Sequence, residues 1–339
     1  MRGQQARAVD HGGSLARARA LFPQAPEPWV DLSTGISPHA YPFSTLPAKA
    51  FQRLPEPARA QELLAAASEA YGAPSPACLV AAPGTQMLLP HIARLIEPGR
   101  TAVLAPTYAE HARAAALAGH EVVDVANVEA LGEAHLAVVV NPNNPDGRIV
   151  ARNDLLKLRD RLAANGGLLV VDEAFMDVGS DSVSGDVEDG GLVVLRSFGK
   201  FYGMAGVRLG FALAAPATAA VLAAQLGPWA VSGPALEIGI EALRDREWRS
   251  MHRQRLTAAA ARLDALLARH GVAVSGGTSL YRFVRMPAAS RLFRGLGDAG
   301  IIVRHFAERP HDLRIGLPGE DTEWERLDAA LGGWQARAA

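Results

Sequence analysis

Between about residues 60 and 213, the chain alternates between two hydrophobic periods. Apolar residues three or four apart predict helices over 61–71, 85–96, 109–118 and 154–164. Between them lie short apolar runs, which predict strands over 78–82, 101–105, 121–125, 135–140, 168–171, 192–196 and 207–213. The run His135–Val140 is apolar at successive positions after its first, as expected when helices cover both faces of a sheet. Pro98-Gly99 and Asn165-Gly166-Gly167 punctuate the series. The alternation predicts an α/β fold, with a mostly parallel sheet between helices.

After about residue 216 the pattern changes. A helix is predicted over 217–226, and one or two long arginine-rich helices over 237–270. Segments 272–275, 280–285 and 312–315 read as strands of a smaller α+β unit, and 23–28 and 181–191 as loops. The expected division is an N-terminal arm, 1–40, that contributes to the small domain and the active site. A large domain, 41–216, and a C-terminal small domain, 217–339, follow.

Composition narrows the partners. A net charge of −1 over 339 residues argues against nucleic acid. No uncharged apolar run reaches membrane-spanning length, and the N-terminus has no apolar signal region, so no membrane partner is expected. Cys78 is the only cysteine, which excludes an intrachain disulfide and a CxxC metal site and fits a reducing cytoplasm. No metal is expected.

Ligands of such sheets bind beyond the carboxyl ends of the strands. Ser197-Phe198-Gly199-Lys200 opens a glycine-rich stretch that reaches Arg208 and Gly210. Lys200 can form a Schiff base with the aldehyde of pyridoxal 5′-phosphate (PLP), while Ser197 and Arg208 can hold its phosphate. In Ala82-Pro83-Gly84-Thr85-Gln86, backbone N–H groups and the Thr85 hydroxyl suit a phosphate, or an ordinary helix cap. Asn141-Pro142-Asn143-Asn144-Pro145-Asp146-Gly147 can aim an asparagine amide at a ligand, or simply turn tightly. Asp172, after a buried strand, can pair with a protonated pyridine nitrogen, or cap a helix. Tyr108, in Pro106-Thr107-Tyr108, can lie flat on a cofactor ring or fill the core.

In order and spacing these motifs resemble the fold-type I PLP enzymes, in the branch of histidinol-phosphate aminotransferase, over roughly residues 30 to 330. The resemblance implies that Lys200 is the Schiff-base lysine and moves protons at Cα. It implies that Asp172 pairs with the pyridine nitrogen, Asn144 with the ring 3′-oxygen, and that Tyr108 stacks on the ring. Gly84, Thr85, Ser197 and Arg208 would bind the cofactor phosphate. Arg314, in Asp312-Leu313-Arg314-Ile315-Gly316, would grip a substrate α-carboxylate as a bidentate fork.

His11-Gly12-Gly13, the segment Asp31–Pro38 and the Lys200 stretch look further like the threonine-phosphate decarboxylases of cobalamin biosynthesis. That likeness implies a small phosphorylated amino acid as substrate, with Arg304 on its phosphate and His11, Gly12 and Gly35 in its pocket. It also implies a homodimer. The alternative is an aminotransferase acting on histidinol phosphate or a related substrate. Three residues depart from the aminotransferase pattern. Phe175 and Leu54 stand where tyrosines are usual, and Gly199 where serine or threonine is common.

Overall fold

Strands buried on both faces need no polar alternation, which is why the apolar runs were readable. The computed structural model describes residues 11–338; residues 1–10 of the expected N-terminal arm lie outside the described residues. In chain order the strands are Val30–Leu32 (β1), Leu79–Ala82 (β2), Arg100–Leu104 (β3), Glu121–Val125 (β4), Leu136–Val140 (β5) and Leu168–Asp172 (β6). Leu192–Ser197 (β7), Gly210–Ala214 (β8), Gly276–Thr278 (β9), Tyr281–Arg285 (β10), Ile301–Phe306 (β11) and Arg309–Gly316 (β12) follow.

The chain divides into two units. The first comprises Ala40–Asn144 and Ile149–Arg249. It contains a seven-stranded sheet in the order β2-β8-β7-β6-β5-β3-β4. Only β8 runs against its neighbours β2 and β7; the other pairings are parallel. Strands β5 and β6 are buried at every position, whereas edge strand β4 exposes Glu121 and Asp124.

Helices cover this sheet for local reasons. Helix Pro57–Tyr71 begins with a proline that needs no N–H partner, and ends at Gly72 in the left-handed region, φ 70°. Helix Arg152–Ala163 turns Leu155, Leu158 and Leu162 inward, a spacing of three and four residues.

The second unit comprises the described part of residues 9–39, Pro145–Arg148 and 250–338. Its five-stranded sheet has the order β1-β11-β12-β10-β9. Strand β1 pairs in parallel with β11, and the remaining pairings are antiparallel. Helix Ala289–Asp298 buries Ala289, Leu292 and Leu296.

Three predicted elements differ. The helix expected over 85–96 is a 3₁₀ turn, Thr85–Met87, followed by the short helix Leu89–Ile92. Pro90 has no N–H to donate to residue 86, so the two turns cannot fuse. The strand expected from 207 begins at Gly210, because Arg208 sits in the left-handed region at φ 55°. The strand expected over 272–275 is absent. The Val272 N–H instead bonds to Leu267 O at 2.9 Å, closing the preceding helix, and the ladder starts when Ser275 N donates to Phe283 O. Among the described residues, no helix is long and apolar enough to cross a membrane.

Candidate active site

In the first unit, loops leaving the carboxyl ends of adjacent parallel strands carry the candidate chemistry. Strand β6 ends in Asp172, which is buried. Its Oδ1 accepts the Ala174 N–H at 3.0 Å, and its Oδ2 lies 2.8 Å from Nε2 of buried His111. The carboxylate is thus fixed by a turn on one side and an imidazole on the other. Sequence reading passed over His111. Its signal was position, one helical turn beyond Tyr108, and the two rings meet edge-on at 5.9 Å.

Lys200 lies on the short helix Phe198–Phe201, directly after β7. Its Nζ is 5.9 Å from the centre of the buried Phe175 ring, so this lysine faces an aromatic surface without a hydroxyl. The glycine before it has a packing reason: a Cβ on Gly199 would stand 2.7 Å from Ala205 Cα.

After β5, Asn141 donates to Val150 O at 3.1 Å and accepts the Val150 N–H at 2.9 Å, closing the base of its loop. Asn143 accepts from Thr107 Oγ1 at 2.6 Å and donates to Pro106 O at 2.9 Å, tying this loop to the one after β3. Both asparagines are buried in structural roles, and half-buried Asn144 follows them. Tyr108, on the β3 loop, donates to Gln86 Oε1 at 3.0 Å. Burial, then the Glu110 charge, pushes its phenol up to about 12.

Gly84, Thr85, Ser197 and Arg208 gather where β8 begins. Gly210 is the register partner of Ala82 on one side and of Ser197 on the other. A Cβ on Gly84 would stand 2.6 Å from the Arg208 guanidinium, and one on Gly210 would stand 2.5 Å from Thr85 N. Gly84 also has φ 84°, a backbone conformation that favours glycine. Gly210 was not anticipated as part of this cradle; only pairing on both sides of β8 reveals it.

The second unit gathers cations. Arg304 on β11 and Arg314 on β12 are direct cross-strand partners. Directly paired residues share a sheet face, and like charges there repel. Arg314 is buried, donates to Ser33 O at 2.8 Å and stands over the Tyr281 ring at 5.2 Å. Burial pulls its guanidinium down to about 10; Arg304 adds to that shift, while Tyr281 and Asp31 oppose it. Burial also lowers Arg304, whose guanidinium lies 5.1 Å from the Phe306 ring centre.

Ser33 connects this pair to the N-terminal candidates. Its Oγ donates to Asp31 at 2.6 Å and accepts the Gly13 N–H at 2.7 Å. A Cβ on Gly12 would stand 2.4 Å from the carbonyl oxygen that serves Arg314. Gly35 is buried, His11 is exposed, and in the first unit Leu54 is exposed. Among the described residues, no group of three or more His, Cys, Asp or Glu side chains could hold a metal.

A sheet with ligand-ready loops at one end, a strand-end lysine and a buried strand-end acid defines a recognisable class. The chain belongs to the aminotransferase class I and II family, whose model matches residues 46–331. It is 42% identical over 334 residues to threonine-phosphate decarboxylase of Pseudomonas aeruginosa, a match covering 97% of this chain and 99% of that protein. The threonine-phosphate decarboxylase of Sinorhizobium sp is also 42% identical, covering 95% of this chain and 97% of that protein. In fold, the chain is similar to histidinol-phosphate aminotransferase from Sinorhizobium meliloti, solved in complex with PLP. The TM-score is 0.77 at 23% identity, over 86% of this chain and 85% of that one.

The first unit's residues fit PLP. Asp172 is a buried carboxylate of the kind that pairs with a protonated ring nitrogen. Gly84 and Gly210 let the Arg208 guanidinium and the Thr85 N–H approach closely, since a Cβ on either would clash, and donors brought together in this way suit a phosphate.

Proposed function

We propose that the chain decarboxylates O-phospho-L-threonine to (R)-1-amino-2-propanol phosphate in cobalamin biosynthesis, with PLP as cofactor. The observation that carries this reading is the Arg304–Arg314 cross-strand pair. The two guanidinium groups share a sheet face, and a substrate with both a carboxylate and a phosphate brings one anion to each. The 42% identity to two threonine-phosphate decarboxylases supports the same substrate.

When bound, PLP supplies an aldehyde for the substrate amine and an electron-poor ring for the electron pair of the bond broken at Cα. The chain's residues do the rest. Asp172, steadied by His111, would hold a proton at the ring nitrogen. Asn144 would donate to the 3′-oxygen, and Tyr108 would lie against the ring. Gly84, Thr85, Ser197 and Arg208 would hold the cofactor phosphate. Arg314 grips the substrate carboxylate and Arg304 its phosphate, while His11, Gly12 and Gly35 contribute to the pocket. The Cα–carboxylate bond breaks, CO₂ leaves, and Lys200 delivers the proton that Cα gains. The orientation Arg314 gives the carboxylate selects this bond over Cα–H, because a small tilt decides which one breaks. The active form is a cytoplasmic homodimer.

Product analysis tests the reading. PLP-loaded protein is incubated with O-phospho-L-threonine, and separately with histidinol phosphate plus 2-oxoglutarate. CO₂ and aminopropanol phosphate from the first, without glutamate from the second, are expected. Glutamate without CO₂ would instead establish the aminotransferase.

A further inference from the structure

Tyr108 belongs to a hydrogen-bonded chain whose direction is set by a buried charge. Glu110 is buried, and its Oε2 accepts from Arg113 at 3.2 Å and from Gln86 Nε2 at 3.0 Å. Gln86 Oε1 accepts from the Tyr108 hydroxyl at 3.0 Å. A carboxylate offers only acceptors, so the amide must turn its NH₂ towards Glu110 and its oxygen towards Tyr108. Reversed, it would set one acceptor against another.

We propose that Gln86 is a positioning residue, oriented by Glu110, that fixes the plane of the Tyr108 ring and commits its hydroxyl proton away from the cofactor. The proposal rests on the reading that places Tyr108 against the PLP ring. It adds that the hydroxyl proton, given to Gln86, is not offered to a bound group. Gln86 follows Thr85 in the same 3₁₀ turn, so the relay also couples the ring contact to the phosphate cradle.

The test uses PLP-loaded full-length protein and reads visible circular dichroism of the cofactor, the PLP dissociation constant, and kcat and KM. Gln86→Leu should weaken PLP retention by roughly five- to tenfold, the scale of one lost hydrogen bond. It should change the cofactor's dichroism as Tyr108→Phe does. The double variant should be no worse than Gln86→Leu, because that substitution already removes the bond to Tyr108 that Tyr108→Phe removes, along with the bond to Glu110. Additive losses, or a Gln86→Leu protein identical to the parent, would overturn the proposal.

Gln86→Glu supplies a readout that general structural damage would not move. Ionised, the new carboxylate faces Glu110 and has no proton to donate. Protonated, it donates to Glu110 and still accepts from Tyr108. The charged or titratable groups around the relay are Glu110, Arg113 and Tyr108, with Asp172 and Arg208 acting on the phenol and His111 against its ring. The parental dichroism should therefore return in Gln86→Glu as pH falls, but not in Gln86→Leu; a pH-independent defect sinks the relay. Tyr108→Ala separates the two ideas. If it leaves the cofactor signal unchanged, the placement of Tyr108 itself is wrong. If it alters the signal while Gln86→Leu does not, only the relay is wrong.

Discussion

Replacing Arg314 with methionine should make the protein more stable and much less active. Burial pulls the Arg314 guanidinium down to about 10. Against an ordinary arginine, that shift corresponds to about 3 kcal/mol of unfavourable buried charge. Methionine keeps a long unbranched side chain in the same space and removes the charge. The hydrogen bond to Ser33 O at 2.8 Å, worth about 1 kcal/mol, and the contact over the Tyr281 ring, worth about 0.5–1 kcal/mol, go with the charge. The net expectation is a gain of about 1–2 kcal/mol in unfolding free energy, measured by urea titration without substrate.

Activity should move the other way. A bidentate grip on a desolvated carboxylate contributes about 3–5 kcal/mol, so kcat/KM for O-phospho-L-threonine should fall by roughly 10²–10⁴-fold. Opposite signs in the two assays distinguish an arginine kept for its ligand from one kept for the fold. A variant that is destabilised, with kcat/KM unchanged, would refute both the site assignment and the charge argument.

Lys200→Ala should remove the visible absorbance of the PLP-loaded protein together with turnover, leaving far-ultraviolet dichroism unchanged; an active variant dismisses the lysine. Gly210→Ala, whose Cβ would stand 2.5 Å from Thr85 N, should cost about 1–3 kcal/mol through overpacking, seen as a lower Tm and weaker PLP retention in equilibrium dialysis. Burial first, then nearby carboxylates, holds the phenols of Tyr41 and Tyr108 above the ordinary range; burial also raises Tyr71 and Tyr281. For raised groups, the stabilisation is complete below the unfolded value of about 10 and is lost as pH climbs through each folded value, about 12 for Tyr108. Ultraviolet titration should show these phenols ionising late in the native protein and near pH ~10 in urea; native titration at the ordinary value would contradict the burial.

The first sheet was legible because its strands are covered on both faces, so each appears as an uninterrupted apolar run such as Leu136–Val140. The strand-end placement of Asp172, Ser197 and Lys200 was legible too, since each follows such a run within a few positions. Strand β1 was not, because three residues are too short to display a period. Val272 misled for a different reason: it is buried like a strand residue, but its N–H closes a helix. His111 and Gly210 escaped because neither has a local signature. One matters for the acid it touches across the fold and the other for the side chain it lacks.

The arginine pair marks the limit of sequence reading most sharply. Near their connecting turn, β11 and β12 pair Phe306 with Arg309. Continued without interruption, that register would set Arg304 opposite His311. An irregularity between His305 and Phe306 shifts the ladder by three residues, so His305 pairs with Leu313 and Arg304 with Arg314. An odd shift exchanges the faces of a strand, so without it Arg314 would point away from the side that carries Arg304. This irregularity is thus what brings the two cations together, and departures from regular pairing often redirect a side chain next to a site. Deleting one residue between Phe306 and Arg309 would strain the turn and press the strands towards another register. If the two arginines form one dianion site, such a variant should lose affinity for the phosphate and the carboxylate together. Loss of one affinity alone would mean that the two arginines serve different ligands.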